Sequence, residues 1–396
     1  MVSTGADHRW FAVGTSGAAD PRAAGATAAR AAVGDRDDAR LLMVFCSALH
    51  DPVAVLAGIR PVAGATPLIG CSTTAVIAAG QSDVDSGVSV VALGGPGFDV
   101  TTGVSLDVSG RQREAGAEVT DRVTRAGTGR RHQVLVLLTD GLVVGQEEML
   151  AGAYSVVGAS MPMVGGASTP HPTAARHTFQ FHGDQVVADA VVGAVIASDG
   201  PFGVGLRHGW RKVGEPMIVT KSDRNEVLTL DDRPAVEAYL SRLGAPPEAF
   251  ADPPAFERFA ECRPIGVRSR GGEVVRNVGN SSGLARGVLC SSGEVPEGGV
   301  IWPMEGDVDT VLQAADDACR DAVAGLAGAA PLGLIAFDCE TRARLLGPDG
   351  QRREVRRMAA HARPAPLAGL YTWGEVARTK GINAFHNQTL VVLAVG

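Results

Sequence analysis

The chain has 396 residues, 45% of them apolar, so it is long enough for two or three domains with sizeable cores. Its 36 basic and 43 acidic residues leave a formal net charge of −7, a balance that argues against nucleic acid as a partner. The sequence shows no signal-peptide pattern and no apolar stretch of membrane-spanning length, which predicts a cytoplasmic protein without membrane insertion.

Strands and helices alternate from the start of the chain. A strand near residue 10 precedes "ADPRAAG", in which Asp20 and Pro21 are typical of a helix N-cap and first helical position. The apolar run "LLMVFC" predicts a buried strand, and "HDPVAV" begins the next helix with the same Asp-Pro pair. A third strand, "LIGC", follows, and these elements establish a strand-helix-strand order.

The same order of elements occurs a second time. "VLVLLTDGLVVGQEEMLAGA" aligns with "LLMVFCSALHDPVAVLAGI", and "PMVGGAST" then falls on "PLIGCSTT". We predict that residues of about 41–107 and 134–205 are related halves of a first domain at residues 1–210. Both short motifs read as strands that end in glycine and small hydroxyl residues, where α/β sheets bind ligands. Close packing of strand ends explains the glycines equally well.

Residues 211–396 are predicted to form a second domain of alternating strands and helices. A hairpin is expected in "VGEPMIVTKSDRNEVLTL", and Asp232 is the predicted N-cap of the helix that follows. Asp307 is the predicted N-cap of the most regular helix of the chain. The expected fold class is therefore α/β, with two domains of mixed sheets and flanking helices, the first an internal duplication of strand-helix-strand-hairpin units.

Several segments resemble the ordered landmarks of the FIST family, in which a FIST N domain and a FIST C domain occur in tandem. They are "PLIGCSTTA", "TFQFHGD" with "ADAVVGAVI", "LTLDDRPAVEAYL", "LIAFDCETRARLLG", "GLYTWGEVA" and "FHNQTLVVLAV". The resemblance implies a bacterial sensory protein in signal transduction that binds a small, amino-acid-like ligand. Because the two domains use up the residues, it would signal through a separate protein in trans. A homo-oligomer is left open.

An amino-acid ligand needs a carboxylate or aromatic face for its ammonium group and donors for its carboxylate. Tyr371, Trp373 and Glu375 alternate in "GLYTWGEVA" and would share one face of a strand, which sets a carboxylate beside two aromatic rings. Glu375 is the candidate for the ammonium group. Core packing of the two rings is the alternative interpretation.

Arg342 and Arg268 are the candidates for binding the ligand's carboxylate, with solvated surface arginines as the alternative. Asn387, at the start of the last strand, is a candidate for orienting the ligand. No catalytic residue is assigned.

The first strand-end motif adds Cys71, Ser72 and Thr73 as candidate ligand-lining residues. A cysteine-dependent hydrolase is a third hypothesis, in which Cys71 is activated by a nearby histidine, but no histidine has a spacing that indicates this. The six cysteines form no C-x-x-C pair, so neither a zinc site nor a disulfide framework is expected.

No cofactor is expected, and haem is the alternative. A subset of the FIST family is described as binding haem and sensing nitric oxide, so the runner-up function is a haem-binding gas sensor or a haem-dependent enzyme. Its axial-ligand candidates are His182 in "FHGD" and His386 before the last strand. The sequence has no C-x-x-C-H attachment motif, so such haem would be non-covalent.

Overall fold

The computed structural model describes residues 9–78, 87–125, 127, 129–173, 176–269, 272–378 and 385–396. Three units with the same strand order surround one apolar core. The first unit comprises β1 (Trp10–Ser16), α1 (Pro21–Val33), β2 (Ala39–Ser47), α2 (Pro52–Ala63), β3 (Leu68–Thr73), β4 (Val76–Ala78) and β5 (Val88–Gly94). The second unit comprises β6 (Phe98–Leu106), α3 (Gln112–Thr124), β7 (His132–Thr139), α4 (Gln146–Val157), β8 (Met163–Ala167), β9 (Gln180–His182), β10 (Gln185–Val187) and β11 (Ala190–Ser198).

The third unit begins with β12 (Phe202–Arg207) and is interrupted by an insert at residues 211–305. The insert contains β13 (Arg211–Lys212), β14 (Met217–Asp223), β15 (Glu226–Leu230), β16 (Arg233–Pro234), α5 (Ala235–Arg242), α6 (Pro253–Ala260), β17 (Ile265–Ser269), β18 (Gly272–Arg276), β19 (Leu289–Cys290) and β20 (Val300–Glu305), with 3-10 helices at Pro247–Phe250 and Ser281–Arg286. The third unit resumes with α7 (Val308–Ala324), β21 (Gly333–Cys339), α8 (Glu340–Ala362), β22 (Leu367–Thr372), β23 (Glu375–Arg378), β24 (Phe385–His386) and β25 (Leu390–Val395).

Each unit pairs its strands in the same way. The first strand pairs antiparallel with the last, the last pairs antiparallel with the second, and the second pairs parallel with the third. The third strand then pairs with a strand from another unit: β3 with β9, β8 with β23 and β22 with β4. The three sheets are therefore linked in a cycle, while the insert forms its own sheet. The predicted α/β class, with mixed sheets and flanking helices, is confirmed.

The core follows from the alternation of side chains along the strands. In β2, Leu41, Met43 and Phe45 point into the cluster shared by all three units, whereas Leu42 and Val44 pack against α1 and α2. Both faces of the strand are covered, which is why its sequence is apolar without interruption. Burying each of these side chains stabilises the fold by about 1.5–3 kcal/mol.

A glycine recurs at the same position of the third strand in each unit. Gly70, Gly165 and Gly369 lie opposite equivalent residues of the second strand, and a Cβ atom there would come within 2.1, 1.9 and 2.2 Å of the carbonyl oxygens of those partners. The oxygens belong to paired backbone that has no room to move. The glycine therefore permits the parallel pairing itself.

Replacing Gly70 with alanine is expected to lower the free energy of unfolding by about 3 kcal/mol, because the added methyl group meets the Val44 carbonyl. Gly129 is the matched control, since a Cβ there meets nothing within 4 Å. Its alanine variant should change stability by less than about 0.5 kcal/mol. Urea unfolding of both variants checks this, and equal midpoints would contradict the packing argument.

The predicted helix starts have different outcomes. Asp307 caps α7 as predicted, with a reciprocal bond to Thr310. The prediction for Asp232 is wrong, because its φ of 61° places it in a turn and α5 begins only after Pro234. The predicted division into two domains at residue 210 stays a prediction, and β12, which precedes it, pairs with β25 at the end of the chain. Among the described residues, no helix combines the length and apolarity needed to cross a membrane.

Candidate functional site

The ends of the three third strands meet one another. The Ser72 hydroxyl donates to the Thr169 carbonyl (3.1 Å), the Thr73 hydroxyl donates to the Tyr371 carbonyl (2.8 Å), and the Trp373 N–H donates to the Ala167 carbonyl (3.1 Å). We call residues 72–74, 167–169 and 371–373 the junction. Each pair of units is joined there by hydrogen bonds between strand ends.

The polar groups of the junction are hydrogen-bonded to other parts of the junction. Ser72 and Thr73 are completely buried, and their hydroxyl groups are bonded to backbone of the other two units. Thr169 in turn accepts from the Thr74 N–H through its hydroxyl (2.6 Å). The small hydroxyl residues of the repeated motif therefore close the three units on one another.

Glu375 lies directly beside the junction. Its Oε1 accepts from the Thr372 hydroxyl (2.8 Å), and its Oε2 accepts from both the N–H (3.1 Å) and the hydroxyl (2.8 Å) of Thr389. The side chain is completely buried, and burial raises its pKa from 4.5 to about 8. Both oxygens thus have partners within the chain, and these three hydrogen bonds oppose the effect of burial on the pKa.

Tyr371, Trp373 and Glu375 do not share one strand, contrary to the alternation predicted from the sequence. β22 ends at Thr372, β23 begins at Glu375, and Gly374 between them has a φ of 146° that turns the chain. Tyr371 packs in the cluster under α7 and α8. Trp373 is half-buried and donates its indole N–H to Glu340, while the Arg176 guanidinium lies 5.5 Å above its ring.

The two predicted carboxylate-binding arginines lie in different environments. Arg342 is fully buried and donates to Asp338 (2.7 Å), Glu354 (2.6 Å) and the His208 carbonyl (2.8 Å). The two carboxylates raise its pKa against the opposing effect of burial. Arg268 is exposed on β17 of the insert. Arg342 is therefore occupied inside the chain, and Arg268 is open to solvent.

Asn387 contacts Arg276, which was not among the candidates predicted from the sequence. Its side-chain oxygen accepts from Arg276 Nη1 (3.3 Å), which also donates to the Phe385 carbonyl (3.2 Å). Arg276 Nη2 lies 3.2 Å from Glu147 Oε1 at the start of α4. We call Glu147, Arg276, Gly293, Phe385 and Asn387 the seam, because they come from the second unit, the insert and the third unit.

Arg276 is held by few and long contacts. Its side chain is 7% exposed, and its Nε atom is buried without a hydrogen-bond partner among the described residues. Burial lowers its pKa, and the carboxylates of Glu147 and Glu294 oppose this shift. A buried guanidinium with a free donor is an anion-binding group of the kind that recognises carboxylates.

Cys71 lies in the core. Its side chain is completely buried in the cluster shared by the three units, and burial raises the pKa of its thiol, which keeps it protonated. The geometry offers no support for a thiolate nucleophile there.

The two candidate haem ligands lie on strands that are paired within the sheets. His182 on β9 is half-buried and burial lowers its pKa, while the Nε2 atom of His386 lies 3.0 Å from the Ala377 carbonyl and burial lowers its pKa to about 4. Two cavities, of about 230 and 410 Å³, are lined by other residues. The surroundings of the two histidines therefore do not fit a haem, which needs a large apolar slot beside its axial ligand. Among the described residues, no cluster of His, Cys, Asp or Glu side chains is arranged to hold a metal ion.

Family models match most of the chain. The FIST N domain matches residues 40–233 and the FIST C domain matches residues 235–378. The chain belongs to the FIST family. FIST domains are associated with the sensing of small ligands in signalling. A comparison with curated proteins finds no match. A solved structure described as a cyanuric acid hydrolase from A. caulinodans is similar at 14% identity and a TM-score of 0.25, over 49% of this chain and 72% of that one. A score this low carries no functional argument.

The seam lies between the two FIST domains, since Glu147 belongs to the range of the FIST N model and Arg276 to that of the FIST C model. Sequence reasoning missed both residues. The available signals were weak but real: Arg276 ends the apolar run "VVR", and Glu147 begins the helix that follows the buried strand "VLVLLT". That second position is the strand-to-helix corner where α/β sheets bind ligands.

Proposed function

We propose that this FIST protein is an intracellular sensor that binds a small, amino-acid-like ligand at the seam and signals through a separate protein. The observation that carries the proposal is the buried Arg276 guanidinium between the two FIST domains, with a donor left unpaired. None of the six cysteines is bonded to another, which favours an intracellular location, because disulfides are rare in the cytosol.

The seam supplies complementary groups for both ends of an amino acid. Arg276 would bind the ligand's carboxylate, assisted by the side-chain amide of Asn387. The carboxylate of the exposed Glu294 acts on the Arg276 guanidinium and would attract the ligand's ammonium group. Opposite charges at a short separation would favour a zwitterion over a simple anion.

Glu375 contributes to this arrangement indirectly. It holds the N–H and hydroxyl of Thr389, two residues after Asn387, and thereby fixes the start of β25. We propose that Glu375 positions Asn387, while Arg276 contacts the ligand. No arrangement of described side chains favours the haem sensor or the cysteine hydrolase, so neither is proposed.

Replacing Arg276 with glutamine is expected to remove ligand binding. The twenty free L-amino acids would be screened for an increase in melting temperature of the full chain, and the best of them titrated by calorimetry. The dissociation constant should rise about 50-fold or more in R276Q, because a charge-assisted bidentate contact is lost.

Arg268 provides the matched control, since it is an exposed arginine on the strand paired with the strand of Arg276. R268Q should bind as the unsubstituted chain does. Binding that survives in R276Q, or a screen in which no amino acid shifts the melting temperature, would overturn the proposal.

A further inference from the structure

The contacts of Arg276 are longer than those of Arg342, another buried arginine of the chain. Charge-assisted hydrogen bonds usually measure about 2.7–2.9 Å, and Arg342 meets this with 2.7 and 2.6 Å to its two carboxylates. Arg276 makes contacts of 3.2, 3.3 and 3.2 Å and leaves Nε without a partner. The pair of Arg276 and Glu147 is therefore a loose fit at a position that could hold a closer carboxylate.

Gly293 provides the space in which the two charges meet. A Cβ atom at this residue would lie 2.2 Å from Glu147 Oε1 and 2.6 Å from Arg276 Nε. Any side chain there would enter the space between the carboxylate and the guanidinium. The free Nε thus lies close to the backbone of Gly293.

Few contacts hold the Glu147 side chain in its position. Its side chain is 28% exposed, and apart from Arg276 its Oε1 accepts only one described bond, a long one from the Glu294 N–H (3.2 Å). It lies in the first turn of α4, whose N-cap Gly145 is left-handed and gives the helix no side-chain cap. Val144, the residue before Gly145, is 81% exposed. The helix start itself is anchored elsewhere, because the buried Gln146 amide donates to the carbonyls of Asp140 (2.8 Å) and Val143 (2.9 Å).

We propose that the Glu147 carboxylate occupies the position taken by the ligand's carboxylate, so that the ligand and α4 compete for Arg276. This rests on the proposed function and adds its regulation. Exchanging one carboxylate for another leaves the charge beside the buried guanidinium unchanged, whereas removal of Glu147 alone would leave it unpaired. The exchange breaks the contact between α4, in the FIST N range, and Arg276, in the FIST C range, which converts binding into a change between domains.

The test uses acetate as a minimal carboxylate on the full chain. In E147A, about 50 mM sodium acetate should raise the melting temperature by about 3 °C more than sodium chloride at equal ionic strength, because acetate fills the vacated position. The same addition should have less than about 1 °C of effect on the unsubstituted chain and on E147A/R276Q. E148A is the matched control, since Glu148 lies in the same turn and pairs with the exposed Arg113 (3.1 Å).

The proposal is overturned if acetate has no effect on E147A. It is also overturned if acetate stabilises the unsubstituted chain or E147A/R276Q to the same extent. If E147A does not fold, E147Q replaces it, because its amide keeps the shape but carries no charge to balance the Arg276 guanidinium. E147Q should also bind the best amino acid about tenfold more tightly than the unsubstituted chain. If amino acids bind but E147Q does not bind them more tightly, the competition is contradicted and the proposed ligand is not. If acetate acts on E147A but no amino acid binds, the proposed ligand is contradicted and the competition is not.

Discussion

Replacing Arg342 with methionine is expected to lower the free energy of unfolding by about 4 kcal/mol, because it leaves two carboxyl groups buried without their cation. Asp338 and Glu354 are completely buried, and each bonds the guanidinium through one oxygen. Their second oxygens have no hydrogen-bond partner among the described residues. Burial and the neighbouring Asp338 raise the pKa of Glu354 well above its usual value, so the cluster depends on Arg342.

Arg344 gives the matched control for this experiment. It lies two residues further along α8, is 52% exposed and pairs with Glu340 and Glu261. R344M should cost about 1 kcal/mol, because Arg344 is half-exposed and the buried Glu340 keeps the Trp373 indole N–H as a donor. Adding E354L to R342M should recover part of the loss. Urea unfolding checks all three variants, and equal costs for R342M and R344M would show that the buried cluster does not carry the stability assigned to it.

Stability should fall as pH rises through the titration of Glu375. Burial raises its pKa from 4.5 to about 8, so the folded state holds a proton that the unfolded state releases near pH 4.5. The stabilisation is complete below the unfolded pKa and is lost as pH rises through the folded pKa. The full loss is on the order of 5 kcal/mol.

The variant E375Q isolates this contribution. The glutamine oxygen can still accept from the Thr389 N–H, its amide can donate to a threonine hydroxyl, and it has no proton to lose. Free energies of unfolding measured between about pH 5 and 9 should decline more steeply in the unsubstituted chain than in E375Q. Parallel profiles would mean that Glu375 is ionised in the folded protein at neutral pH.

Local features of the fold could be predicted because they depend on neighbours in sequence. The caps at Asp20, Asp51 and Asp307 need only a side-chain oxygen and the next turn of helix, and all three form. The apolar run "LLMVFC" indicates a strand covered on both faces, and β2 is one.

The third unit was not visible in the sequence. The insert at residues 211–305 separates β12 from α7, so its strand order is not contiguous along the chain. The pairing of β3 with β9, β8 with β23 and β22 with β4 joins residues far apart in sequence, and no local pattern specifies such partners.

The candidate site was predicted only in part for the same reason. Asn387 lies at the seam, but its partners Arg276 and Glu147 approach it only through the insert and the second unit. Glu375 and Trp373 read as one strand face because the turn at Gly374 depends on a glycine conformation that the alternating pattern conceals. The hydroxyl groups of Ser72 and Thr73 look available in the sequence, yet other units already bond them.

The most direct test of binding at the seam is a crystal structure of the full chain with the amino acid that gives the largest thermal shift. We expect the ligand's carboxylate within hydrogen-bond distance of Arg276, with Asn387 beside it and Glu147 displaced from the guanidinium. A ligand found elsewhere, such as in the 410 Å³ cavity beside His208, with the pair of Arg276 and Glu147 intact, would contradict it.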